Sequence, residues 1–591
     1  MVWKKHKKLF LILAAVVVVL AIAVPLTVLA VSRAFTAQES AVRTDWGDAD
    51  VGGEVVERDE ALQIEYAEVD LNGGLRVLQL VPMDLEEENF TYYDAGVQQR
   101  LSDALEELKA GDVQWTASNP LAVLNPYGTG SNGLYLYFET DLPTQVSYTV
   151  HVEDDSIPDY TATAADAGGE TYTRVHEFQL IGLVPGETNE VTMQVTGSWG
   201  TVRQTVTFTV DMPETQSGYD TTLETTDGTS DAALTEGLFA MMRVNGYLGY
   251  GFFYDNAGVL RYEMVLEGYG LDRILPYGDD IITCVSSTRL ARINGLGQVE
   301  QVYDLDGYEL HHDIGFGQEG ELLALAEHVD GETVEDVVLS VDLETGEVSE
   351  LIDFTDVLPE YFETTHAVAP TDEFFWQAGE WDWLHLNSLQ YMPEDDALIV
   401  SSRETSTIIK VTGIHSEVTL DWMAGDEAFW ADTAYAEYSL RQEGDFVPQY
   451  GQHFVEYLGD GETEGVYYLA VYNNNYWANS SRDGYEPELA ESVGTDLYGD
   501  GSETSQVYVY CIDENERAFS LVSSFDVPYS SIVSNASHYG EEGHWVVNSG
   551  VAMVFGEYDA DGVLIREYAY ECTMQNYRTI KYDMVGCWFA E

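Results

Sequence analysis

Lysine is nearly absent from this chain. Of 591 residues only seven are lysine, and four of those are Lys4, Lys5, Lys7 and Lys8. Lysine and arginine together number 25 against 104 aspartates and glutamates, a formal net charge of −79. Nucleic acids are gripped by clustered Lys and Arg, so a nucleic-acid partner is excluded. The acidity reads as a solvated, self-repelling surface suited to salt or to the outside of a cell. Cysteine is scarce too: Cys284, Cys511, Cys572 and Cys587, none in a CxxC pair. That spacing excludes zinc-ribbon and thioredoxin-type motifs. A Cys572–Cys587 disulfide is permitted outside a cell, and buried thiols fit the spacing equally well. No GxxxxGK[ST] phosphate loop is present.

One long uncharged run exists, Leu9 to Val31, directly after the four lysines. As a helix, it spans about 35 Å, enough to cross a bilayer. The expectation is a transmembrane helix within residues 1–36, with the basic side in the cytoplasm and the rest of the chain extracellular. The competing reading is a cleaved signal segment ending near Val28-Leu29-Ala30, which would make the protein secreted.

Hydrophobic content is 45%, enough for several folded cores. Residues 37–115 read as a stalk with one helix at about 95–110, where Val97, Leu101, Leu105 and Leu108 share a face. Residues 116–212 carry short alternating runs (134–139, 146–152, 175–181, 191–195, 202–210) separated by turns, the pattern of a small β-sandwich. Residues 213–232 have a Thr/Ser/Gly/Asp linker composition. From 233 to 591 a strand–turn–strand unit recurs six times, at Tyr254–Val259, Ile293–Val299, Val341–Val348, Val411–Val418, Cys511–Ala518 and Tyr558–Val563. A hairpin cannot bury both faces alone, so six such units predict a six-bladed β-propeller. The fold class is therefore all-β, a propeller preceded by a β-sandwich and a transmembrane helix.

A second pattern places a histidine at the start of three successive repeat strands: His312, His385 and His453. Equivalent positions in successive blades face one axis, so these three converge. His311 is expected to point the other way, because side chains alternate along a strand. His6, His151, His176, His328, His366 and His415 lack this phase and read as surface or satisfied core residues. Arg403 closes the strand that follows His385, and its planar, always-charged fork matches the oxygens of a tetrahedral anion. A surface pair with Glu404 is the alternative. Acidic loops at 459–465 and 498–505 lack calcium-loop spacing and read as solvated turns, so no metal is expected.

TrpLeuHisLeuAsnSer at 383–388, ProGluAspAsp at 393–396, SerSerArgGluThrSerThrIleIleLysVal at 401–411 and GlnHis at 452–453 resemble the signature of bacterial arylsulfotransferases. The resemblance covers roughly residues 116–591. It implies transfer of a sulfuryl group from an aryl sulfate to a phenol, independent of PAPS, by ping-pong kinetics through a sulfohistidine. By motif it implies His453 as nucleophile, with His385, Arg403 and His312 around the sulfuryl oxygens and Asn387 as a substrate-binding residue. No cofactor is implied. Trp376, Trp381 and Trp383 are candidates to line the mouth, and a homodimer is open as an assembly. Two departures stand out: the family's cysteine pair before the nucleophile is missing, and its Asp-Asn-Gly-like run is Asn473-Asn474-Asn475. The alternatives are a metal-dependent lyase or hydrolase built on the three histidines, and a non-catalytic surface-binding protein.

Overall fold

The computed structural model describes residues 64–590 apart from 73–74, 82–90, 246–247, 269–272, 373, 483–484, 486, 500 and 572–574. Residues 368–379 form a small unit of their own, with a 3₁₀ turn at Phe375–Gln377. The remaining described chain is an N-terminal sheet followed by six further sheets.

The six later sheets are the blades of a propeller. Blade 3 runs Tyr308–Phe316, Glu321–His328, Val337–Asp342 and Val348–Asp353, each strand antiparallel to the last. Blades 2 and 4 repeat this plan from Ile274–Tyr277 and Leu386–Met392. Blade 5 begins with His453–Asp460 and blade 6 with Asn535–Tyr539. These first strands pack against one another in sequence, from Tyr308–Phe316 through to Thr579–Tyr582, and so line the axis. The ring is locked at its ends. The last strand, Thr579–Tyr582, completes blade 1 by pairing with Leu238–Asn245. The early strand Glu224–Asp227 pairs with Leu564–Ala569 on the outer edge of blade 6. All six hairpins expected from the repeat are the turn before the last strand of a blade, and in five of them an Asp or Asn of the turn accepts backbone N–H groups (Asp255, Asn294, Asp342, Asp513 and Asp559).

The N-terminal sheet has eight strands in one hydrogen-bonded array. Its spine, Leu134–Val152, pairs with Thr173–Leu180 along its first part and with Thr188–Gly197 along its second. The register shift between Glu139 and Thr144 lets the sheet curl over a core that includes Leu136, Val150, Phe178 and Val191. The domain is therefore a curled, sandwich-like sheet rather than two separate ones. At the bend, buried His176 is held by Thr144 at 2.8 Å and by Asp166 at 3.0 Å. The helix Ala95–Lys109 is capped by Asp94 and buries Val97, Gln98, Leu101 and Leu105. Gln98 accepts from Val299 N at 3.1 Å, which docks the helix on blade 2.

The expected transmembrane helix is corrected. Among the described residues no helix is long and apolar enough to cross a membrane. The longest, Ala95–Lys109, spans about 22 Å and carries charged side chains on its outer face. The run Leu9–Val31 lies outside the described residues. Membrane attachment as a partner, and the single-pass placement with an extracellular bulk, are withdrawn with the helix they rested on. Cys572 also lies outside the described residues, while Cys587 is a buried free thiol.

Asp313, fully buried on the first strand of blade 3, ties four blades together at the axis. It accepts from Arg273 of blade 2 at 2.8 Å, Arg578 of blade 1 at 2.5 Å, and Leu389 N of blade 4 at 3.0 Å. Burial opposes its ionisation, but the two guanidiniums hold its carboxyl below the ordinary aspartate range. Asp313→Ala takes the carboxylate from buried Arg578 and half-buried Arg273 and should cost about 3–5 kcal/mol. Urea unfolding checks this, and an unchanged midpoint would refute the hub.

Candidate active site

The three repeat-phased histidines meet on the axis. His312 and His385 face each other Nε2 to Nε2 at 2.9 Å, and the His385 and His453 ring centroids are 5.9 Å apart. The local backbone explains the convergence. In blades 3, 4 and 5 the first strand carries a register irregularity at the histidine, between Leu310 and Ile314, Leu386 and Ser388, and His453 and Val455. His312 (φ 61), His385 (φ 50) and Phe454 (φ 59) are left-handed there. Such a conformation costs a non-glycine residue about 1–3 kcal/mol and persists where packing imposes it. It turns each imidazole toward the axis instead of along the pleat. His311 departs from expectation for the same reason. The bulge breaks the strand alternation, and its ring lies 5.1 Å from that of His312.

Arg403 joins the cluster through the pairing of blade 4. Its N–H donates to His385 O at 3.2 Å, so the strand end and the histidine loop travel together. The guanidinium is buried, 5% exposed, and its Nη2 donates to Asp382 Oδ2 at 3.1 Å and to Glu404 Oε1 at 3.2 Å. Glu404 is not a surface partner. It is fully buried and accepts from Ser480 N and Ser481 Oγ, in a loop inserted into blade 5.

Each imidazole is tuned differently. His385 Nδ1 lies 2.7 Å from Asp382 Oδ2 and 2.5 Å from Glu335 Oε2. Burial and the Arg403 charge oppose its protonation, yet the two carboxylates prevail and push its pKa up to about 9. His385 is therefore an imidazolium at neutral pH. Burial, then the charge of His385, holds His453 well below the ordinary imidazole range, and His312 likewise. Both are neutral. His453 Nδ1–H donates to Asn474 Oδ1 at 2.9 Å and faces Gly451 O at 3.1 Å. That tautomer leaves the lone pair on Nε2, which accepts from Val533 N–H at 3.3 Å. Asn387 is buried, and its Nδ2 donates to Gln452 O at 2.9 Å, next to His453. It bears on the segment that carries His453 through the backbone.

Asp382, Glu335 and Asn474 did not stand out in the sequence. Asn474 carried one signal, the Asn473-Asn474-Asn475 run: Asn473 Oδ1 caps Tyr450 N at 2.9 Å and Asn475 Nδ2 fastens Thr504 O at 2.9 Å, which leaves the middle amide for the histidine. Arg273 and Arg578 stand just before the first strand of blade 2 and the closing strand of blade 1, in the phase of the histidines. The phase rule extended to blades 1 and 2 would have found them. Of the three tryptophans, Trp383 is core, donating to Asp336 Oδ2 at 2.7 Å. Trp381 packs on Phe362. Trp376, 42% exposed, belongs to the separate unit at 368–379.

Imidazoles of graded protonation beside a buried guanidinium, on the axis of a six-bladed propeller, define a group-transfer enzyme that handles a small anion. A family model described as arylsulfotransferase (ASST) matches residues 224–583, and one described as arylsulfotransferase Ig-like domain matches residues 121–213. The chain belongs to the arylsulfotransferase family, and it is a PAPS-independent aryl-sulfate sulfotransferase. No curated protein matches it. Similar solved structures include a candidate 6-phosphogluconolactonase of Bacteroides fragilis NCTC 9343 (11% identity, 74% of this chain and 98% of that one, TM-score 0.32). The WD40 domain of Toxoplasma gondii coronin is similar at 11% identity, 59% and 77% coverage and TM-score 0.28. TolB of Acinetobacter baumannii is similar at 12% identity, 68% and 81% coverage and TM-score 0.28. At these scores the likenesses carry no argument.

Proposed function

We propose that His453 is the nucleophile of a two-step sulfuryl transfer. The observation that carries this is its Nε2 lone pair, which the Nδ1–H bond to Asn474 leaves unprotonated and which accepts one long bond, from Val533 N–H at 3.3 Å, beside the His385 imidazolium and the Arg403 guanidinium. In the first step Nε2 attacks sulfur, the aryl O–S bond breaks, and the donor leaves as a phenolate. His385, the imidazolium, supplies the proton that makes the phenol, directly or across the 2.9 Å contact with His312. Arg403 and the two other imidazoles hold the three sulfuryl oxygens while charge redistributes over them, so most of the catalysis is positioning and electrostatic stabilisation. In the second step an acceptor phenol attacks sulfur, the N–S bond breaks, and the phenolic proton returns to the histidine pair. Asp382 and Glu335 keep His385 charged, Asn474 sets the tautomer of His453, and Asn387 orients the peptide before it.

The full chain should release phenol from an aryl sulfate much faster when a second phenol is present, with parallel double-reciprocal plots. EDTA should not lower the rate. Release independent of acceptor would indicate a sulfatase, and loss of activity on chelation would favour the metal-dependent lyase.

A further inference from the structure

The cluster contains one histidine that the transfer chemistry leaves unused. His311 is 7% exposed, its Nε2–H donates to Ala326 O at 3.0 Å, and its Nδ1 is buried with no hydrogen-bond partner. A buried acceptor without a donor is uncommon in a native fold and asks for an occupant. Beside His311 stand His312 and the carboxylate of Glu335, and one donor atom of each of the three lies within 4.8 Å of the others.

We propose that His311, His312 and Glu335 form a transition-metal site, in which a divalent ion such as Zn²⁺ binds beside the sulfuryl cluster and switches transfer off. Two imidazole nitrogens and one carboxylate are a donor set suited to zinc, cobalt or copper rather than to magnesium or calcium, which take oxygen ligands. The net charge of −79 raises the local concentration of any cation near the protein. The consequence follows from what the ligands otherwise do. His312 faces His385 at 2.9 Å and Glu335 pairs with His385 at 2.5 Å. An ion that claims both withdraws a proton carrier and one of the two carboxylates from His385. It also places a positive charge where that imidazolium must stay protonated. The inhibitory consequence rests on the sulfuryl-transfer reading, whereas the binding rests on the three donors alone.

The experiment separates the two. Full-length protein freed of metal with EDTA is titrated with Co²⁺, followed by visible d–d absorption, and with Zn²⁺, followed by calorimetry. One ion per chain is expected. His311→Ala, and His311→Gln to keep a donor for Ala326 O, should weaken binding on the order of 100-fold. Circular dichroism checks that each variant is folded. In metal-free buffer both variants should transfer sulfuryl groups within about twofold of the wild type. Zn²⁺ should inhibit the wild type reversibly, and the variants only at roughly 100-fold higher concentration. No ion bound by the wild type, or equal binding by the folded variants, would overturn the site, and a zinc-loaded enzyme as active as the metal-free one would overturn its inhibitory role. Cobalt spectra report the site even if no transfer is detected, so a failure of the catalytic reading is told apart from a failure of this one.

Discussion

Replacing His453 with alanine should abolish aryl-sulfate turnover, with a loss on the order of 10⁴- to 10⁶-fold in kcat, the range seen when an enzymic nucleophile is removed. The reason is specific to this ring. It is the imidazole whose Nδ1–H is committed to Asn474 at 2.9 Å and whose unprotonated Nε2 meets only a long contact from Val533 N–H at 3.3 Å, which an attack on sulfur would replace. Neither neighbour can take its place. His385 is protonated, with its pKa pushed to about 9, and His312 Nε2 is engaged with His385. The check has two parts. Wild-type protein given a donor without acceptor should accumulate a sulfuryl adduct visible by intact-protein mass spectrometry, and His453→Ala should not. The variant should keep the wild-type circular dichroism spectrum. A folded variant that still turns over would remove His453 from the role.

The second large effect belongs to a residue that never touches substrate. Asp382→Asn should lower kcat on the order of 100-fold and reshape the pH profile. In the wild type the active forms are neutral His453 and protonated His385. Because His453 is held well below 6.5, activity persists as pH falls through 6.5. Because His385 is raised to about 9, activity is lost as pH climbs through that value. The sign for the variant follows. Asp382 favours the charged imidazole, so its neutralisation lowers the His385 pKa and moves the alkaline limb toward acid. Asp382 also accepts from Arg403, so the guanidinium loosens in the same variant. Asp382→Glu, which retains the charge, should restore the limb more than the rate. Profiles recorded in a chelator exclude metal effects, and an alkaline limb unmoved in Asp382→Asn would show that Asp382 does not set the His385 charge.

Much of the site was legible because a propeller repeats. The phase that put His312, His385 and His453 at matching places in successive repeats is a one-dimensional property, and blades turn it into convergence at an axis, although only His453 starts its strand while His312 lies inside one and His385 just before one. The reading stopped where the pleat stopped. His311 was placed on the opposite face because alternation was assumed through a bulge that only the paired strands define. Arg403 and Glu404 were legible as a pair, but whether that pair sat in water or out of it depended on the loop that brings Ser480 and Ser481 over it. The expectation of a membrane-spanning helix came from composition in a segment that the described fold does not include.

The chain alone determined the six hairpins, the identity of the three histidines and the arginine, and the arylsulfotransferase resemblance. Turn chemistry and motif spacing act between near neighbours in sequence. Only the tertiary structure decided which carboxylates matter. With 104 acidic side chains in the sequence, Glu335, Asp382 and Asp313 look like all the others. Burial beside His385, Arg403, Arg273 and Arg578 is what sets them apart. A charge acquires a role when it loses its water and must be answered by a neighbour, and which neighbour is at hand is settled by packing across blades.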